Sequence, residues 1–206
     1  HGSEYVGDYF KCREYISGFT GSAGTAVITQ NMAGMWTDAR YFIQAERQMG
    51  ENVTLFKMRE PGVPTVEEFL KDTLKEGDCL GFDGRCVGAS EAEKLVKELG
   101  EKGVRVDSGE DLVGEIWTDR PALSSEPAWE LDLKWAGKSR EDKIAEIRKE
   151  MAEKGADLFL LTKLEDIAWL LNIRGNDIHT VPVVLSYLIM TDTELRLYAN
   201  VSAFAE

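Results

Sequence analysis

The sequence predicts an α/β protein built as two related units, and three observations carry that prediction. Apolar strand-like runs alternate in strict succession with helical spacings. A stretch rich in Trp, Pro and Ser interrupts the alternation between Trp117 and Trp135. The order helix, Gly-bearing loop, hairpin then occurs once on each side of that interruption.

Before the interruption, the runs AVIT at 26–29 and GMWT at 34–37 read as strands, followed by a helix over 41–49 and a strand VTLFKM at 53–58. Val66, Phe69, Leu70 and Leu74 have the spacing of one helix face, and Leu95, Val96 and Leu99 that of another. CLGFD at 79–83 and VRVD at 104–107 supply further strands. The segment WTDRPALSSEPAWELDLKW has no sustained period and reads as an ordered linker, which places a first domain at 1–117, the linker at 118–138 and a second domain at 139–206.

After the linker, Ser139 is an N-cap with Asp142 three residues on, and Ile144, Ile147 and Met151 give the helix an apolar face. DLFLLT at 157–162, a helix over 164–172, the loop IRGNDIHTVP and the strands VVLSYLIM and LRLYA follow, the last two joined by Thr191-Asp192-Thr193-Glu194. Tyr15-Ile16-Ser17-Gly18-Phe19-Thr20-Gly21 has the pattern of Trp169-Leu170-Leu171-Asn172-Ile173-Arg174-Gly175, and residues 29–36 that of residues 191–198, with a longer insertion in the second copy. Comparison of the copies predicts that both domains are incomplete, the first lacking an opening helix and strand and the second interrupted after its hairpin.

Composition excludes more than it identifies. With 24 Lys and Arg against 37 Asp and Glu, the formal charge of -13 repels phosphate backbones and anionic membrane surfaces, so nucleic acid is not an expected partner. No apolar run is long enough to span a membrane, and no export signal is expected. Cys12, Cys79 and Cys86 form no ligand motif, and with only His1 and His179 beside them they read as reduced thiols of a cytoplasmic protein.

Four features are candidates for function. Gly18-Phe19-Thr20-Gly21-Ser22-Ala23-Gly24 is glycine-rich, but it joins a helix to a strand and lacks phosphate-binding spacing, which makes it a tight loop. Trp36-Thr37-Asp38-Ala39-Arg40-Tyr41 runs from a strand into a helix, so Thr37 or Asp38 is expected to cap the helix and Arg40 to pair with a carboxylate; alternatively Trp36, Asp38 and Arg40 face a cleft or interface. Glu67-Glu68, Glu91 with Glu93, and Glu110-Asp111 are read as solvated. The loop Arg174-Gly175-Asn176-Asp177-Ile178-His179 is expected either to be tied together by an Arg174–Asp177 ion pair or to offer His179 to a ligand.

In chain order HGSEYVGDYFKCREY, YISGFTGSAGTAVIT, MWTDARYFIQAERQM, IWTDRP and DIAWLLNIRGNDI resemble the amino-terminal motifs of Xaa-Pro aminopeptidases, the aminopeptidase P branch of the creatinase/prolidase metallopeptidases, over nearly the whole chain. The resemblance implies two creatinase N-terminal-like α/β domains ahead of a pita-bread catalytic domain. That catalytic domain would hold two divalent metal ions, Mn or Zn, through two Asp, a His and two Glu. None of this chain matches that ligand set, so no catalytic and no metal residues are expected here, and the chain by itself is expected to be inactive. Short peptides with proline second would be the substrates, and a homodimer the assembly. By the same resemblance Arg174, Asp177 and His179 lie on a loop that approaches the catalytic domain. Val181-Pro182 departs from the Asn-Pro that relatives often carry there. Two rival readings remain open: a stand-alone interaction module for a peptide or protein, and a parent acting on Xaa-Pro dipeptides or a creatine-like amidine.

Overall fold

The computed structural model describes residues 2–204 of the 206, so His1 and the last two residues lie outside it. The chain is mixed α/β and folds as two compact units, one spanning Lys11–Arg120 and the other combining the residues up to Phe10 with those from Pro121 onward.

In the first unit, α1 (Cys12–Ser17) leads to the hairpin β1 (Thr25–Ile28) and β2 (Ala33–Thr37), then α2 (Phe42–Gln48) and β3 (Val53–Lys57). β2 is central, antiparallel to β1 and parallel to β3. Successive side chains of β2 point to opposite faces. Met35 packs with Phe19 and Ala45 on one face, and Trp36 with Val27, Leu70, Leu95 and Leu99 on the other. The second face is covered by α3 (Val66–Thr73) and α4 (Ala89–Gly100), with the parallel pair β4 (Cys79–Gly81) and β5 (Arg105–Asp107) beside them. Thr65 and Glu68 close α3 with a capping box, satisfying two amide groups that a helix start leaves without partners. A short α5 (Leu112–Ile116) ends the unit.

In the second unit, β6 (Trp129–Glu130) and α6 (Leu133–Ala136) precede α7 (Arg140–Glu153), β7 (Phe159–Leu161), α8 (Leu164–Leu171), β8 (Ile173–Arg174) and the hairpin β9 (Ser186–Met190) and β10 (Leu195–Ala199). β9 is central, antiparallel to β10 and to β7. Ser139 caps α7 as the sequence predicts, accepting from the Asp142 amide at 3.1 Å. Met151 of α7, and Ile167, Leu170 and Leu171 of α8, bury their side chains against Leu161, Leu188 and Met190 of the sheet.

The units diverge from the expected boundaries at two places. The Gly2 amide donates to Thr162 O at 2.7 Å and Gly2 O accepts from the Leu164 amide, so the leading residues run beside β7 and α8 rather than with the first unit. Much of the expected linker also belongs to the second unit: β6 pairs with β8, the Ala128 amide donates to Ala203 O, and the Leu131 amide donates to Asn172 O. Trp129 is placed by pairing with β8 and Ala128 by its bond to Ala203, partners far along the chain, which leaves no local repeat to read.

The repeat seen in the sequence is geometric. Both hairpins turn through four residues, with Thr29 N–H donating to Met32 O at 2.8 Å and Thr191 N–H to Glu194 O at 2.9 Å. In each turn the threonine hydroxyl accepts from the last turn amide. α1 and α8 both end on a left-handed residue, Gly18 at φ 75 and Asn172 at φ 54. Three residues on, Gly21 and Gly175 each have a neighbour crowding the place where a Cβ would sit: the Phe19 ring for the first and Val184 for the second.

Candidate functional site

The two candidate segments differ in what they expose. Trp36 has no accessible surface: its ring stacks on Phe56 with centroids 3.9 Å apart, and its Nε1–H donates to Pro64 O at 2.8 Å. The expectation that it faces a cleft or interface is therefore corrected: α3 and α4 cover the face of β2 on which it lies. Thr37 is also buried, donating to Ala23 O, and caps nothing. Asp38 builds a turn ahead of α2 rather than capping it, its Oδ1 accepting from the Arg40 amide and its carbonyl from the Tyr41 amide. Asp38 and Arg40 pair through two charged hydrogen bonds of 2.9 and 2.8 Å. Arg40 holds the Asp38 carboxyl below its usual range, and the pair remains largely in solvent.

The glycine-rich loop is closed from within. Arg13 Nη1 donates to Gly24 O at 2.8 Å, Nη2 donates to Gly21 O, and Ser22 Oγ bonds the Tyr41 hydroxyl at 2.7 Å. Its carbonyls turn inward to a guanidinium, the reverse of an anion cradle.

The loop between β8 and β9 is the more specialised feature. The sequence expects Arg174 and Asp177 to pair with each other, whereas the structure gives them separate tasks. Arg174 Nη1 donates to Ala168 O and Ile173 O, both at 2.8 Å, and so caps the carboxyl end of α8. Asp177 is buried and accepts from Ser124 Oγ at 2.6 Å, the Leu185 amide at 2.7 Å and the Glu126 amide at 3.3 Å. These donors belong to segments that sequence reading assigns to a linker and to a strand. Ile178 and Val181 form an isolated antiparallel bridge closed by Val181 N–H to Ile178 O at 3.1 Å, with Thr180 at φ 68. That tight turn puts His179 at its tip, exposed, while Ile178 and Val183 on either side are buried.

Lys143 has no signal in the sequence that marks it as special. It is only 2% exposed, and its Nζ donates to Trp169 O at 2.8 Å and Asn172 Oδ1 at 2.6 Å, lying 4.6 Å from the Trp169 ring centroid. Burial, reinforced by the charges of Arg174 and Lys138, pushes its pKa down. Read locally, it is one more basic residue of a charged helix.

Elsewhere, Glu67 pairs with Lys94, and Asp111 accepts from Arg120, Arg85 and the Gly114 amide. Cys12, Cys79 and Cys86 are free thiols, Cys79 and Cys86 on exposed residues; local desolvation of the sulfur, with Asp83 alongside, raises Cys86 to about 11. Among the described residues no group of three or more His, Cys, Asp and Glu could hold a metal ion, so these residues do not fit a dinuclear centre. No described helix is long and apolar enough to cross a membrane.

The creatinase/prolidase N-terminal domain family matches twice, at residues 11–116 and at residues 119–206. The probable Xaa-Pro aminopeptidase P of Laccaria bicolor is 43% identical over 202 residues, covering 97% of this chain and 32% of the relative. Aminopeptidase P2 of Arabidopsis thaliana is 38% identical over 97% of this chain and 29% of its own length. The chain thus spans about a third of the curated relatives it matches. The crystal structure of X-prolyl aminopeptidase from Caenorhabditis elegans, described as a cytosolic enzyme with a di-nuclear active site, superimposes with a TM-score of 0.92 at 35% identity, over 99% of this chain and 34% of that one. The chain belongs to the creatinase/prolidase N-terminal domain family, among the relatives of aminopeptidase P.

Proposed function

We propose that this chain is the non-catalytic region of a cytoplasmic, metal-dependent aminopeptidase that releases the residue preceding an amino-terminal proline bond. Its two domains would support homodimerisation and restrict the cleft to short peptides. The observation that carries the reading is the match of almost the whole chain, in sequence and in backbone, to one third of an X-prolyl aminopeptidase. The dinuclear site of the whole protein, with Mn or Zn, would come from polypeptide other than these residues, because the described side chains offer no such ligand set.

The loop geometry supports the division of labour. Asp177 and Arg174 build the loop, and His179 is the group it delivers to solvent, where it would meet the peptide or the catalytic domain. Asp38 and Arg40 present a charged pair suited to an interface rather than to proton transfer.

The test compares the 206-residue chain with the full-length gene product in hydrolysis of an Xaa-Pro-Xaa tripeptide with added Mn²⁺. Turnover is expected from the full-length protein alone, with two metal equivalents per subunit. Turnover that copurifies with the 206-residue chain, or a full-length product without activity on such peptides, overturns the proposal.

A further inference from the structure

A buried ammonium normally sits opposite a carboxylate, because desolvating an unpaired charge is costly. Lys143 has no such partner among the described residues. Its environment is instead the carboxyl end of α8, the Asn172 side-chain oxygen and the Trp169 ring. A helix end carries partial negative charge and carbonyls without intrahelical partners, so the site suits a cation, but Arg174 already caps the same end.

The other copy of the repeat shows how little the helix end requires. α1 makes the same left-handed exit with Gly18, for which positive φ is free of steric cost. At the equivalent position the second unit has Asn172, whose whole amide is engaged: Oδ1 accepts from Lys143, Nδ2 donates to Lys138 O at 3.0 Å, and the backbone carbonyl accepts from the Leu131 amide. Left-handed backbone alone would not need this lock.

Beyond the lock the two copies part. From Gly21 the first copy reaches its hairpin in four positions, at Thr25. From Gly175 the second takes twelve to reach Tyr187, the matching residue of β9. The eight extra residues contain Asp177 and the His179 turn.

We infer that Lys143 is a positioning residue: by fixing Asn172 it sets the direction in which β8 leaves α8, and so the placement of the loop that presents His179. Its consequence for substrate rests on the reading that this loop faces the cleft.

The experiment uses Lys143→Met, Asn172→Gly and Asn172→Asp. Amide hydrogen exchange is read at Asp177 and Leu185 in the loop, with β9–β10 and the first unit as internal references. Lys143→Met and Asn172→Gly are expected to speed loop exchange by on the order of tenfold while the β9–β10 ladder stays unchanged. Asn172→Asp keeps the oxygen facing Lys143 and tolerates left-handed backbone but loses the donor to Lys138 O, so its loop exchange should rise less than that of Asn172→Gly. Equal acceleration throughout the second unit, or none in the loop, overturns the proposal. Should Lys143→Met fail to fold, the two Asn172 variants decide the matter alone. In the full-length protein, Lys143→Met is expected to raise KM for an Xaa-Pro-Xaa tripeptide with kcat nearly unchanged. Faster loop exchange with unaltered kinetics keeps the positioning role and removes the cleft reading.

Discussion

Replacing Asp177 by alanine removes the acceptor of three donors in a buried site. Ser124 can turn its hydroxyl to another partner, but the Leu185 and Glu126 amides are fixed by the chain. The Leu185 bond is short at 2.7 Å and the Glu126 bond long at 3.3 Å. Counting about 2 kcal/mol for the charged bond to Leu185 and about 1 kcal/mol for the weaker pair, the loss to the second unit is about 3 kcal/mol. The asparagine variant would behave differently. With its amide oxygen toward Leu185 and its NH₂ toward Ser124 Oγ, Asp177→Asn forfeits mainly the long Glu126 bond, at about 1 kcal/mol. Because two units unfold in one chain, a single transition is the wrong observable. Hydrogen exchange of β9 amides under native conditions reports the second unit alone, and about 3 kcal/mol corresponds to a rate ratio on the order of 100-fold. Equal effects of the alanine and asparagine variants, or an alanine effect under about 1 kcal/mol, would refute the claim that this carboxylate staples the loop.

Trp36→Ala should destabilise the first unit by about 3–5 kcal/mol, read from native-state hydrogen exchange of β2 amides, because it empties a stacked core position, whereas Arg40→Ala should change it by less than about 1 kcal/mol. Arg85 holds Asp83 low, and Arg120 with the Gly114 amide outweighs the opposing effect of burial on Asp111. Carboxylates with depressed folded pKa values stabilise above the unfolded value of 3.8 and lose that contribution as pH falls through the folded value, so first-unit stability should drop below about pH 4 and Arg120→Gln should flatten the drop. Cys79 should be alkylated by iodoacetamide well before Cys86 at about pH 8, as mass spectrometry of the peptides would show, since a thiol raised to about 11 is scarcely thiolate there. Thr180→Gly should leave exchange at Val181 unchanged or slow it slightly by relieving positive φ, while Thr180→Pro, which cannot adopt φ 68, should open the turn and accelerate that exchange.

The sequence was most informative where local chemistry decides structure. Ser139 with Asp142, and Val66 through Leu74, announce helices through caps and spacing, and the hairpins announce themselves through Thr29 and Thr191. It was least informative where a residue is placed by something distant. Trp36 was legible as a strand residue, but which face it took depended on α3 and α4 covering that side. Asp177 reads as a loop acid until Ser124, 53 positions away, supplies its hydrogen bond. Lys143 reads as a surface charge until α8 packs its carboxyl end against it.

Comparison of the two copies separates what the shared fold needs from what the second unit adds. Features held in common, such as the four-residue turns, the left-handed helix ends and the crowded glycines, are what the fold needs, because both units need them. The buried lysine, the engaged asparagine and the eight added residues occur in the second unit and not in the first, so folding of the shared motif does not account for them. In the proposed reading they serve the exposed side chain at the tip of the inserted loop, His179. The first unit also keeps a partly buried cation, Arg13, on loop carbonyls, so what sets the second unit apart is the cost of the more deeply buried Lys143 and of the conformational freedom lost in ordering an inserted, internally stapled loop. That cost is intelligible if the loop must hold its tip still against another surface, and it is the reason the loop, rather than the better-conforming WTDARY segment, is the place to test for contact with peptide.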